Sequence, residues 1–162
     1  KGFDMQLLAT EPNPDLDFVD QYNVELVELE ELLARSDFVS LHVRLNPETQ
    51  GMIGYDQLKR MKPSAFLINS ARRELVPEDD LIRALSEKLL AGAALDDPPA
   101  DPQSSLLERE NVVFTTHLGN RARDGVDAVF RRAVENAVDV LTGRECSSIV
   151  NPEVLQQNTS HS

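Results

Sequence analysis

The sequence predicts an α/β fold: a parallel sheet with helices on both faces. Three observations carry this. Short apolar runs of four to six residues recur along the chain. Segments with helical periodicity separate them, and strands separated by helices run parallel. The hydrophobic content of 41% over 162 residues supports a globular core.

In chain order, residues 5–10 (MQLLAT) form the first strand, followed by a Pro/Asn/Asp turn. Residues 27–35 form a short helix, and Phe38–Leu41 a second strand. Residues 47–49 form a loop, and residues 55–61 one or two helical turns. Residues 65–69 (AFLIN) read as a buried strand. Residues 78–88 form a helix, with Pro77 suited to its first turn and Leu81, Leu85 and Leu89 on one face. Residues 91–95 and 112–115 complete the strands. Arg123–Leu141 is the longest helix, striped by Val126, Phe130, Ala133, Val134, Ala137 and Leu141 and stopped at Gly143. The tail from Gln156 is polar, so residues 156–162 are expected to be disordered.

Composition excludes several partners. A formal charge of −12 argues against nucleic acid and anionic membranes, which are polyanions. No apolar run approaches the ~20 residues of a membrane span. The single cysteine, Cys146, excludes an intrachain disulfide and suits a reducing, cytoplasmic setting. No metal is assigned. The first residues lack both an initiating Met and the apolar region of a signal peptide. They read as the end of a helix entering a strand, as though the chain had been cut there.

Open parallel sheets bind ligands beyond the C-terminal ends of their strands, so residues at those ends are the candidates. Glu11 follows the first strand, where a carboxylate can accept from ribose hydroxyls and repel a 2′-phosphate. Arg72 and Arg73 follow residues 65–69, where a guanidinium can clamp a substrate carboxylate. Asp96, Asp97 and Asp101 follow residues 91–95, and His117 follows residues 112–115. Taken singly, each has an ordinary structural reading: solvated turn, surface ion pair, proline-stiffened acidic loop, structural histidine. Together, a cation, carboxylates and a histidine after three successive strands form the kit for reducing a 2-oxo acid.

Four segments sharpen this: SDFVSLHVRLNPETQGMIGYDQLKRMKP, INSARRELVPEDDLIRAL, LLAGAALDDPPADP and NVVFTTHLGNRARDGV. In order and separation they resemble the signatures of the D-isomer-specific 2-hydroxyacid dehydrogenases, over about residues 7–152. The resemblance implies a doubly wound, Rossmann-like sheet that binds NAD. It places the catalytic arginine at Arg72, the histidine at His117 and its acidic partner at Asp101. It places the ribose-binding acid at Glu11 and the nicotinamide-carboxamide ligand at Asp96. Further cofactor contacts fall on Val43, Ser70, Ala71, Arg72, His117, Leu118, Gly119 and Asn120. The implied substrate is a small 2-hydroxy or 2-oxo acid, and the implied assembly a homodimer of the intact parent.

The chain departs from the family pattern. Arg73 stands where Gly is usual, Arg44 and Thr116 where Pro is usual, Asp97 where Val is usual, and Asp101 where Glu is usual. The G-x-G-x-x-G turn is absent, since Gly2, Gly51, Gly54 and Gly92 do not make it. The fold is therefore expected to be an incomplete doubly wound sheet, lacking its first strand and glycine-rich turn. In the order 3-2-1-4-5-6, residues 5–10 would be strand 2, Phe38–Leu41 strand 3, and residues 65–69, 91–95 and 112–115 strands 4 to 6. Strands 2 and 4 would then face each other across a gap of roughly 9–10 Å. Residues 1–120 form the partial NAD-binding domain, and residues 121–155 a long helix and return segment towards a substrate lobe. The expected activity is NAD-dependent hydride transfer, with the fragment alone inactive. Two other readings stay open: a non-enzymatic, NAD-binding protein like the C-terminal-binding corepressors, and an inactive truncated remnant.

Overall fold

A computed structural model describes residues 3–118, 122–146 and 148–149. It divides into two compact units, Lys1–Gly119 and Asn120–Ser162. The elements of the first are β1 (Leu7–Ala9), α1 (Leu16–Tyr22), β2 (Val24–Leu26), α2 (Leu29–Arg35), β3 (Phe38–Leu41), α3 (Tyr55–Leu58), β4 (Phe66–Asn69), α4 (Glu78–Ser86), β5 (Gly92–Leu95) and β6 (Val112–Phe114). Short 3₁₀ turns at Arg73–Leu75 and Ser105–Glu108 follow β4 and β5. The second unit contains α5 (Arg123–Leu141).

All pairings are parallel, as expected. The strands form a four-stranded sheet, β3-β4-β5-β6, and a two-stranded sheet, β1-β2. This corrects the expected order at one point. Phe38–Leu41 pairs with β4, not with the first strand, whose neighbour is the unexpected β2. The chain therefore makes two more elements early on than the periodicity suggested. Helix α1 starts at Asp15, whose side chain accepts from Phe18 N–H, and ends at Asn23 in the left-handed conformation (φ 51°). β2 follows directly, and Val27 N–H donates to Ala9 O (2.9 Å), so Val27 prolongs the strand pairing and α2 begins only at Leu29. Arg35 fastens α2 to β2 through two bonds to Glu25 (2.6 and 2.7 Å), and this guanidinium holds the Glu25 carboxyl below its ordinary range.

Strand parity decides where the core lies. Val39, Leu67, Ala93 and Val112 share one row, Leu41, Asn69 and Leu95 the next, and all are buried. They meet Leu33 of α2, Leu58 of α3, and Leu81, Ala84 and Leu85 of α4. The alternate residues face the other way. Phe38 is 53% exposed, Phe66 42% and Val113 63%, with the two phenyl rings stacked at 5.8 Å. Among the described residues of this unit, the helices that bury residues, α2, α3 and α4, pack into the core cluster on the buried face. Gly92 is dictated by crowding, since a Cβ there would stand 2.4 Å from Asn111 O and 3.2 Å from the Phe66 ring.

In the second unit, α5 has the bounds the periodicity predicted, and Gly143 (φ 71°) ends it as expected. Of its apolar stripe, Phe130 and Leu141 are 69% and 85% exposed. The expected disordered tail, residues 156–162, lies outside the described residues.

No strand is hydrogen-bonded between β1 and β3 among the described residues, so both present unpaired edges. Such edges, beside an exposed apolar sheet face, recruit other strands. Expressed as these 162 residues, the chain is expected to self-associate, as read by sedimentation velocity across a concentration series. A monomer with a cooperative melt at every concentration would contradict this.

Candidate functional site

The C-terminal ends of β4, β5 and β6 lie side by side, and their following loops are bonded into one network. Asn69, the last residue of β4, is 3% exposed. Its Oδ1 accepts from Ala71 N–H (3.1 Å) and its Nδ2 donates to Arg72 O (2.8 Å). These bonds fold Ser70, Ala71 and Arg72 into a tight turn. Arg72 is exposed and extended (φ −139°), and one Nη1–H donates to Ala71 O (2.7 Å).

Asp96 is the hub. Its N–H donates to Asn69 O (2.9 Å) and its carbonyl accepts from His117 N–H (2.7 Å). Its carboxylate Oδ1 accepts from the Thr115 hydroxyl and from Leu118 N–H (3.1 Å). His117 is exposed and held at φ 56°, a left-handed conformation that costs a non-glycine residue roughly 1–2 kcal/mol. Asp96 bonds both His117 and the residue after it, so it fixes the conformation it strains. Ser70, Ala71, Arg72, Asp96, His117 and Leu118 are thus brought to one edge of the sheet. Val43, just beyond β3, is half-buried against the core below. Gly119 and Asn120 lie outside the described residues.

Asp101 does not join this network. The expected hydrogen bond to His117 is not formed. Asp101 Oδ1 instead accepts from Gln103 N–H (2.8 Å), and its carbonyl accepts from Ser104 N–H (3.1 Å). A local turn has captured the carboxylate.

Glu11 lies at the far end of the two-stranded sheet. Its Oε1 accepts from Asn13 N–H (3.1 Å), and it lines a cavity of about 510 Å³ with Thr10, Leu26, Val27, Glu28 and Glu31. Glu28 begins α2 without a side-chain cap bond.

Sequence reasoning missed Asn69, Thr115, Glu28 and the tie between Arg73 and Asp97. Asn69 had a signal, an Asn at a strand end before Ser-Ala. Thr115 had none, because its role depends on Asp96 across the sheet. Among the described residues no group of His, Cys, Asp or Glu could hold a metal ion, and no helix is long and apolar enough to cross a membrane.

Residues 1–119 match the family described as D-isomer specific 2-hydroxyacid dehydrogenase, NAD binding domain. The chain is 40% identical over 159 residues to the glyoxylate reductase of Korarchaeum cryptofilum, covering 96% of this chain and 48% of that protein. It is 36% identical to glyoxylate/hydroxypyruvate reductase B of Enterobacter agglomerans, covering 96% and 49%. The NAD-complexed D-isomer specific 2-hydroxyacid dehydrogenase of Lactobacillus delbrueckii ssp. bulgaricus superposes with a TM-score of 0.83 at 30% identity, covering 93% of this chain and 50% of that one. The chain spans about half the length of the curated relatives it matches.

Strain at His117 has a measurable consequence. Replacing it by glycine, which adopts positive φ freely, is expected to raise stability by about 1 kcal/mol. Denaturant unfolding checks this, and a destabilised H117G would mean that the histidine side chain, not Asp96, holds the segment.

Proposed function

The chain belongs to the D-isomer-specific 2-hydroxyacid dehydrogenase family as its NAD-binding domain, and from that premise we propose that it serves NAD-dependent hydride transfer on a 2-hydroxy or 2-oxo acid. The observation that carries this is the bonded row of Arg72, Asp96 and His117 at three consecutive strand ends.

The residues present fit the cofactor. The cavity beside Glu11 offers a carboxylate acceptor suited to a ribose diol, and three carboxylates around it disfavour a 2′-phosphate. Ser70, Ala71, Leu118 and Val43 are assigned further contacts to the cofactor; the same role is assigned to Gly119 and Asn120, which lie outside the described residues. Held by these residues, NAD would supply the hydride-carrying chemistry that interconverts a 2-oxo and a 2-hydroxy acid. Arg72 grips the substrate carboxylate and polarises the carbonyl, having four N–H donors beyond the one spent on Ala71. His117 gives a proton to the developing alkoxide oxygen, and takes it back in the reverse direction. Asp96 serves twice, holding His117 in place and offering its carboxylate to the carboxamide. Asp101 is assigned as the acidic partner of His117, a role that requires it to leave its present turn. The proposal extends to a cytoplasmic homodimer of the full-length protein, with residues 121–155 returning towards a substrate lobe.

A second reading is favoured by one observation, the unformed bond between Asp101 and His117. In it the protein binds NAD without turnover and acts through assembly. Oxidation of NADH by a panel of 2-oxo acids separates the two readings, because only the first consumes NADH.

In the full-length protein, H117A is expected to lower kcat by roughly 10²–10⁴-fold, the range for a lost acid/base group. R72A is expected to act mainly on kcat/KM. Unchanged kinetics in either variant removes that residue from the mechanism. Separately, E11A is expected to narrow the preference for NAD over NADP. Tighter binding of NADP than NAD by the unmodified protein would place Glu11 away from the ribose.

A further inference from the structure

The loop after β4 and the loop after β5 are tied a second time, beyond the Asn69–Asp96 backbone bond. Arg73 N–H donates to Asp97 Oδ2 (3.3 Å), and Arg73 Nη1 donates to Pro98 O (3.2 Å). Arg73 Nε also lies 3.5 Å from Glu74 Oε1. Arg72 is extended and Arg73 begins the 3₁₀ turn Arg73–Leu75. Arg73 and Asp97 face a cavity of about 200 Å³ with Asn69, Leu81 and Leu95, and Arg72 does not line it. The tie therefore reaches Arg72 only through the backbone they share.

We propose that Arg73 and Asp97 are positioning residues that brace the turn carrying Arg72 against the loop carrying Asp101, and so set how Arg72 meets the substrate carboxylate. This rests on the dehydrogenase reading. A long side chain amplifies a small backbone rotation, and a displacement of about 1 Å at a reacting group can cost up to 10²-fold in rate. The tie is too exposed to matter greatly for global stability, with the Arg73 side chain 44% accessible. Its loss should therefore appear in the work Arg72 does and leave folding nearly untouched. The two bonds are of different kinds: without the Asp97 carboxylate the backbone N–H of residue 73 loses its acceptor, whereas without the Arg73 side chain only the Pro98 carbonyl loses its donor.

The test uses the full-length protein, with steady-state kinetics on a 2-oxo acid, NAD affinity by titration calorimetry, and thermal melts. D97A is expected to raise KM for the 2-oxo acid about tenfold while kcat and NAD affinity stay within about twofold. D97N, which keeps a side-chain oxygen to accept from Arg73 N–H, is expected to recover most of that loss. In an R72A background, D97A should add nothing, because the brace acts through Arg72. The proposal is overturned if D97A leaves KM unchanged, if its effect persists in full in the R72A background, or if NAD affinity and melting temperature fall together with activity. An unmodified protein that turns over no 2-oxo acid defeats the dehydrogenase reading and this inference with it. An active one lets the variants judge the brace alone.

Discussion

The acceptors of Asp96 organise this molecule's chemistry. Beyond the ends of parallel strands, backbone donors lose their ladder partners and must find others. Here the donors of Thr115, His117 and Leu118 all turn to the end of β5: Thr115 N–H to Leu95 O, His117 N–H to Asp96 O, and Leu118 N–H to the Asp96 carboxylate. Asp96 in turn donates to Asn69 O, and Asn69 closes the Arg72 turn. A cationic side chain and an imidazole from different strands are thereby referenced to one residue. The left-handed backbone at His117 follows from that arrangement, since an extended path would carry Leu118 N–H away from the carboxylate.

This network needs a rigid base, and the one-sided core supplies it. Leu67 and Leu95 of the buried rows share one core cluster with Leu58 of α3 and with Leu81, Ala84 and Leu85 of α4. The site residues sit at the rim of that layer, beyond the last buried position of each strand: Asp96 one residue past Leu95, Arg72 three past Asn69 and His117 five past Val112. Leu95 is buried, Asp96 is half-buried, and His117 is exposed. A rotation of the rim would have to disturb packed leucines below, so the framework is stiff while the functional groups stay accessible. The opposite face contributes no such clamp within this unit, and the stacked Phe38 and Phe66 rings remain open.

Most of the α/β architecture was legible because buried parallel strands have a strong local signature. Residues 65–68 and 91–95 are unbroken runs of apolar residues, and leucine recurs at Leu81, Leu85 and Leu89, every fourth position. β2 was not legible. Its three residues, Val24, Glu25 and Leu26, carry a glutamate and run directly into the helical pattern that begins at residue 27, and what makes them a strand is their long-range pairing with Leu7–Ala9. Missing β2 set the number of Phe38–Leu41 one too low and so put it on the wrong side of the gap, beside the first strand and not beside β4, an error of counting and not of strand recognition. At the site, residue types at strand ends pointed to Arg72, Asp96 and His117. Which of them touch could not be read, because Thr115, Leu118 and Asp96 meet across chain separations of about twenty residues.

Asp101 shows how a single methylene can redirect a carboxylate. An aspartate followed by Pro102 is placed to accept from the backbone N–H two residues on, closing the small ring of an Asx turn, and Asp101 does so with Gln103. A glutamate has one more rotatable bond and closes that ring less readily, so its carboxylate remains available to reach outward. The family's usual Glu-Pro pair and this chain's Asp-Pro pair therefore differ in kind as well as in length. One favours reaching across to the histidine, and the other favours ordering its own loop. The loop in question is also tied at its start, where Asp97 and Pro98 meet Arg73. With both ends fixed, residues 97–104 lose freedom that a free carboxylate would need in order to follow His117. The departures at 73, 97 and 101 thus act on one segment and in one direction, towards a fixed acidic loop beside a histidine that Asp96 holds through its backbone.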